Sequence, residues 1–270
     1  MNEGADPRLD DYRALADGDR LRARGLFVAE GRLVVRRVLD DPQYRVRSLL
    51  LTEAARASLE NALERAPAHL PAYIVSLEAM RDITGFNIHR GCLALVERPA
   101  PSDPAALVSR LGRAALVVAL EEVANADNIG GVFRNVLAFG AGAVLLSPGC
   151  CDPLYRKAIR TSMAATLRVP FARIERWPDG LDILRAAGFA VVALTPAEDA
   201  RDIGAFAADP RRPARVALVV GTEGAGLSGA AEAMAVARVR IPMAPGVDSL
   251  NLATATGIAL QRMSETQPFE

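Results

Sequence analysis

From residue 115 onward the chain is punctuated by short, unbroken apolar runs: ALVVAL (115–120), AVLL (143–146), AVVAL (190–194), VALVV (216–220) and the weaker RVRI (238–241). Continuous Val/Leu runs, as opposed to polar–apolar alternation, mark strands covered on both faces and so predict a mainly parallel sheet. Helices are expected between them, over roughly 129–139, 155–163, 179–187, 228–235 and 250–263. In the first of these Ile129, Val132, Phe133, Val136 and Leu137 share one apolar face, and Arg134 lies off it, toward solvent or a ligand. Ahead of residue 98 the pattern is shorter. LFVAEGRLVVRRVLD reads as a strand leading into a helix with apolar Leu33, Val34 and Val38, and VRSLLLT (46–52), AYIVS (72–76) and RGCLALVER (90–98) read as strands. Three prolines within ERPAPSDPAA (97–106) mark a linker. The expected organisation is a small α/β domain over 1–98, a linker over 99–112 and a larger α/β domain over 113–270.

Composition supports a full core, with 51% hydrophobic residues, and no apolar run approaches the roughly 18–20 residues of a membrane span. The chain is charged from Glu3 and opens without an apolar signal segment, so a cytoplasmic protein is expected. Formal net charge is +0, and fifteen arginines balance fifteen acidic residues over 1–98, which gives no general affinity for nucleic acid. Locally, Arg13, Arg20, Arg22, Arg24, Arg32, Arg36 and Arg37 outnumber Asp17, Asp19 and Glu30; this is either a solvated helix face or a phosphate-contacting one. Cys92, Cys150 and Cys151, with only His69 and His89, lack metal-site spacing, so no metal is expected. The adjacent Cys150 and Cys151 read as packing near a strand end.

Ligands of open parallel sheets sit at the carboxyl ends of strands, and three strand exits here carry unusual residues. The first is EEVANADNIGGVFRNVLAFGA (121–141). Gly130 and Gly131, placed in the first helical turn, each cost about 1 kcal/mol relative to Ala, which suggests close approach of a phosphate or another chain. The bland alternative is that Asn128 caps the helix and Arg134 is a surface charge. The second exit, VVGTEGAGLS (219–228), has neither the G-x-G-x-x-G order nor a phosphate-loop lysine, which argues against a nucleotide enzyme of ordinary doubly wound fold. It is a glycine loop holding Glu223, either structural or catalytic, ahead of a helix capped by Ser228. In the third, IPMAPGVDSLNLATATGIAL (241–260), Asp248 or Ser249 can cap a helix whose Ala253, Ala255, Gly257 and Ala259 leave room for a tight neighbour.

The three exits together resemble the SpoU (TrmH-type) family of RNA ribose 2′-O-methyltransferases, in the SPOUT superfamily, over about 115–263. The resemblance rests on Asn128-x-Gly130-x-x-x-Arg134, Gly221-x-Glu223-x-x-Gly226-x-Ser228, and Ile241-Pro242-Met243 leading to Ser249-Leu250-Asn251, in that order. Pro245 stands where many members have Gly, and Ala253 replaces a frequent Ser. The resemblance implies a mainly parallel sheet with a C-terminal trefoil knot, preceded by a ribosomal-protein-like RNA substrate-binding domain. It implies S-adenosylmethionine as cofactor, a homodimer, and methyl transfer to a ribose 2′-OH of structured RNA, rRNA favoured over tRNA by the front domain. Arg134 is then the central catalytic residue, with Asn128, Glu223, Ser249 and Asn251 orienting the site, and backbone groups around Leu194, Thr195, Gly221, Ile241, Met243 and Leu250 holding the cofactor. The competing expectation is a catalytically inactive RNA-binding protein of the same fold, which would not need Asn128, Arg134 and Asn251 together.

Overall fold

The structure, a computed structural model, describes residues 6–13, 15, 18–88 and 91–265. Glu3, Asp17, His89 and Arg90 of the sequence reading lie outside the described residues. The chain divides into two compact units, Met1–Ala100 with Leu154–Ala164, and Pro101–Pro153 with Ala165–Glu270.

The first unit contains strands β1 (Leu26–Glu30), β2 (Val46–Leu51), β3 (Ala72–Ile74) and β4 (Cys92–Glu97), in the order β1-β4-β2-β3. β4 is antiparallel to both β1 and β2, and β2 is parallel to β3. Its helices are α1 (Asp10–Arg13), α2 (Gly18–Ala23), α3 (Arg32–Asp40), α4 (Glu53–Ser58), α5 (Glu60–Arg65) and α6 (Leu77–Thr84), joined by α9 (Arg156–Thr161) from the segment 154–164. Val34, Val35 and Val38 of α3 are buried, whereas Leu33, named with Val34 and Val38 as an apolar residue of this helix, is 54% exposed. Arg156 of α9 pairs with the buried Glu30 and stacks over Phe86 at 4.1 Å. Within the arginine-rich stretch, Arg13 and Arg24 are ion-paired to Asp10 and Asp11.

In the second unit the strands are β5 (Ala115–Leu120), β6 (Ala143–Leu146), β7 (Phe171–Arg173), β8 (Ala190–Leu194), β9 (Arg201–Asp202), β10 (Arg215–Val220) and β11 (Ala237–Arg240). They form one sheet in the order β7-β6-β5-β10-β8-β11-β9, and every pairing is parallel. The apolar runs therefore fall on strands as expected; β7 and β9 are additional, too short to leave an apolar run. Surrounding helices are α7 (Pro104–Ser109), α8 (Ala126–Ala138), α10 (Asp182–Ala186), α11 (Ile203–Ala207), α12 (Gly229–Ala233) and α13 (Leu252–Ser264). One face of the sheet packs Val117, Ala119, Leu145, Val191, Ala217 and Val219 into a core with Val108, Leu181 and Leu184 from the flanking helices. The strand order matters for the site. β10 fills the slot between β5 and β8, so the exits of β5 and β10 are neighbours, and β11 flanks β8. No helix among the described residues is long and apolar enough to cross a membrane.

Candidate active site

Leaving β5, the chain turns through Glu121–Ala124 into α8. The helix begins at Ala126, three residues earlier than apolar spacing suggests, because Asn125 caps it by accepting from the Asp127 amide at 2.8 Å. Asn128 therefore is not the cap. It lies in the first turn, 5% exposed, and Gly130 and Gly131 lie deeper in the helix than expected. Gly131 meets a neighbour in its own chain: a Cβ there would lie 2.6 Å from the Ala253 methyl of α13. One turn on, the Asn135 amide donates to the Ala253 carbonyl at 2.6 Å, and a Cβ on Gly257 would meet the Asn135 amide nitrogen at 2.8 Å. The small residues of α13 thus first serve a close helix–helix contact.

α13 is capped by Asn251, not by Asp248 or Ser249. Its side-chain oxygen accepts from the Thr254 amide at 3.2 Å, and its Nδ2 donates to Asn128 Oδ1 and to Glu223 Oε1, both at 2.9 Å. Both amide hydrogens and the carbonyl of Asn251 are thereby engaged. One side chain joins the three strand exits, and three of the five residues assigned to the site by sequence are in one hydrogen-bonded chain.

The loop bearing Glu223 is tightly folded. Thr222 and Gly226 form an antiparallel bridge, and a Cβ on Gly221 would lie 2.1 Å from the Gly226 carbonyl oxygen. Gly221 is thus required by the backbone crossing it. Ser228 caps α12 as expected, accepting from the Ala231 amide at 3.1 Å.

Between these segments lies a cavity of about 400 Å³. Leu194, Thr195, Gly221, Ile241, Met243 and Leu250, all six expected around a cofactor, line it. So do Glu223, Ser249, Asn251 and Ala255, with Asp248 adding a second carboxylate. Arg134 does not line the cavity; it is exposed and has no hydrogen-bond or ion-pair partner among the described residues.

Sequence reasoning missed Glu121. Its carboxylate is 5% exposed and accepts from Trp177 Nε1 at 2.6 Å, the Ser228 amide at 2.8 Å and the Ser228 hydroxyl at 2.6 Å. An acidic pair at a strand exit reads as a solvated loop, so only the position of the pair hinted at a role. Neighbouring Glu122 adopts a left-handed φ of 55°, and its carboxylate accepts from the Ser147 hydroxyl and the Gly149 amide. Cys150 packs beneath this turn, accepting from the Val123 amide and donating to the Leu120 carbonyl. Burial pushes both thiols up, that of Cys151 to about 11, which leaves them protonated near neutral pH. No group of three or more His, Cys, Asp or Glu side chains among the described residues is arranged to hold a metal ion.

Known proteins resemble this chain in sequence and fold. The pattern of the SpoU rRNA Methylase family matches residues 115–261. An uncharacterized tRNA/rRNA methyltransferase of Mycobacterium tuberculosis strain H37Rv is 41% identical over 260 residues, covering 94% of this chain and 87% of its own length. The crystal structure of an AdoMet-bound rRNA methyltransferase from Sinorhizobium meliloti matches with a TM-score of 0.81 at 26% identity, over 98% of this chain and 96% of that one. The SpoU methyltransferase AviRb from Streptomyces viridochromogenes has the same fold, with a TM-score of 0.79 at 24% identity over 97% and 99% of the two chains. The family pattern spans more than half of the sequence and includes all three strand exits, and the chain belongs to the SpoU family of RNA methyltransferases.

Proposed function

We propose that this protein transfers a methyl group from S-adenosylmethionine to a ribose 2′-hydroxyl of structured RNA, ribosomal RNA in preference to transfer RNA. The observation that carries the reading is Asn251, bonded to Asn128 and Glu223 at the edge of the cavity, with Arg134, unpartnered among the described residues, on the helix that bears Asn128. The AdoMet and the rRNA named for the S. meliloti protein support the cofactor and the substrate class.

The cavity suits such a cofactor. Its volume falls in the range of roughly 300–1,000 Å³ usual for small-molecule sites. Leu194, Val220, Ile241 and Leu250 offer apolar walls to a purine, and the glycine loop brings backbone groups close. Glu223 and Asp248 complement a ligand carrying sulfonium and ammonium charge. When bound, S-adenosylmethionine supplies an electrophilic methyl group, so the protein's work is binding, orientation and electrostatics.

Arg134 holds the RNA. A guanidinium stays protonated in proteins and so cannot act as a base; its planar fork bridges a phosphate oxygen and the 2′-hydroxyl, and the proton leaves to phosphate or water. Asn128, Glu223, Ser249 and Asn251 would orient the ribose hydroxyl at the cavity, where S-adenosylmethionine would supply the methyl group. We further read the passage from β11 through 241–251 into α13 as a trefoil knot, the front unit as a ribosomal-protein-like RNA-binding module, and the working form as a homodimer. The strand order, with β10 inserted between β5 and β8, agrees with the first.

The test is transfer of labelled methyl groups to total RNA from cells lacking the enzyme, with 2′-O-methyl sites mapped. Arg134→Ala abolishes transfer and keeps cofactor binding, because the side chain is exposed and touches no cavity wall. Arg134→Lys restores little, since an ammonium cannot bridge two oxygens. Near wild-type transfer by Arg134→Ala would overturn the assignment.

A further inference from the structure

The cavity-lining residues Gly221, Thr222, Glu223, Gly224 and Gly226 all belong to one loop, and both ends of that loop are held by a single residue. At the entrance, the Glu121 amide donates to the Val220 carbonyl at 2.9 Å, continuing the β5–β10 pairing by one residue. At the exit, the Glu121 carboxylate accepts from both the amide and the hydroxyl of Ser228. The third donor to this carboxylate is Trp177 Nε1, which shares Oε1 with the Ser228 hydroxyl and leaves Oε2 to the Ser228 amide. A buried carboxylate receiving three hydrogen bonds is a strong anchor, since bonds to an ionised acceptor are roughly twice as strong as neutral ones.

We propose that Glu121 is a positioning residue that clamps the 220–228 loop in its cofactor-binding conformation and, through the loop, places Glu223 against Asn251. Its carboxylate touches neither the cavity nor Asn251; it acts through Ser228. The two ends of the loop lie on one residue, so releasing the exit leaves the entrance paired and the sheet intact while the cavity wall loses its fixed shape. The effect on affinity rests on the proposed binding of S-adenosylmethionine in this cavity; the effect on the loop does not.

Glu121→Gln keeps the side-chain size and replaces one acceptor oxygen by an amide NH₂, so in either orientation a donor faces a donor. Two measurements on the full-length protein separate the outcomes: calorimetric titration with S-adenosylmethionine, and amide hydrogen exchange over 219–228 without ligand. The expected result is faster exchange in the loop and a dissociation constant about tenfold higher at unchanged stoichiometry, a tenfold step corresponding to 1.4 kcal/mol. Ser228→Ala shifts both in the same direction and Ser228→Thr restores them, and this pair carries the test if Glu121→Gln does not fold. Wild-type exchange and wild-type affinity in Glu121→Gln overturn the clamp. Reduced stoichiometry with an unchanged dissociation constant also overturns it, because that marks a merely structural role. If the wild-type protein binds no S-adenosylmethionine yet Glu121→Gln speeds loop exchange, the clamp stands and the proposed function falls.

Discussion

The contact between Gly131 of α8 and Ala253 of α13 makes a sharp prediction, because it decides where the helix carrying Asn251 and Ala255 can sit. Replacing Gly131 by Ala puts a methyl carbon 2.6 Å from the Ala253 methyl, about 1 Å inside the ~3.5–4.0 Å optimum for carbon pairs. Displacing α13 to relieve it costs about 1–3 kcal/mol as overpacking, against a gain of up to ~1 kcal/mol for Ala over Gly inside a helix. Gly131→Ala should therefore destabilise by about 1–2 kcal/mol. Ala253→Gly alone should cost about 1 kcal/mol in helix propensity. Among the described residues, apart from α8's own backbone and the chain neighbours Gly130 and Val132, no other heavy atom lies within 4 Å of the new methyl. The double exchange therefore restores the fit, cancels the propensity terms and returns stability close to wild type, an interaction energy of about 2–3 kcal/mol. Urea denaturation of the four proteins measures it, and cofactor affinity should fall in Gly131→Ala and recover in the double variant. Additivity of the two single changes within about 0.5 kcal/mol would refute the contact.

Gly221→Ala should abolish cofactor binding by calorimetry, because its Cβ would lie 2.1 and 2.2 Å from the Gly226 carbonyl oxygen and carbon, backbone atoms that yield only if the loop opens; retained affinity would mean that this crossing does not shape the cavity. Sedimentation at micromolar concentration should report twice the monomer mass, and a monomer that methylates RNA would sink the homodimer reading.

Much of the second unit was legible in the sequence because a buried parallel strand leaves a local mark. ALVVAL and AVLL could be placed to the residue, since strands covered on both faces admit few polar side chains. Helix starts were less legible: α8 and α13 begin where Asn125 and Asn251 find amides to accept from, and several nearby polar residues are equally suitable on paper. The motif residues could be named one by one, and their resemblance to a family gave the expected cofactor pocket before any geometry.

What the sequence could not contain was who meets whom. Asn251 and Asn128 are 123 residues apart, and they bond only because β5 and β10 are neighbours in the sheet and α13 returns to α8. The same holds for the small residues. The sequence alone determined that Gly131, Ala253 and Gly257 leave space; the tertiary structure decided that Gly131 and Ala253 fill each other's space and that Asn135 fills the space at Gly257. Glu121 shows the limit most plainly. By itself it is an acid at a strand exit, and it becomes a buried anchor only when Trp177 and Ser228 arrive with three hydrogen-bond donors. Strand and helix character follows from local side-chain burial and can be read along one chain. A desolvated carboxylate needs partners to offset its lost hydration, and those partners come from whatever the fold brings alongside.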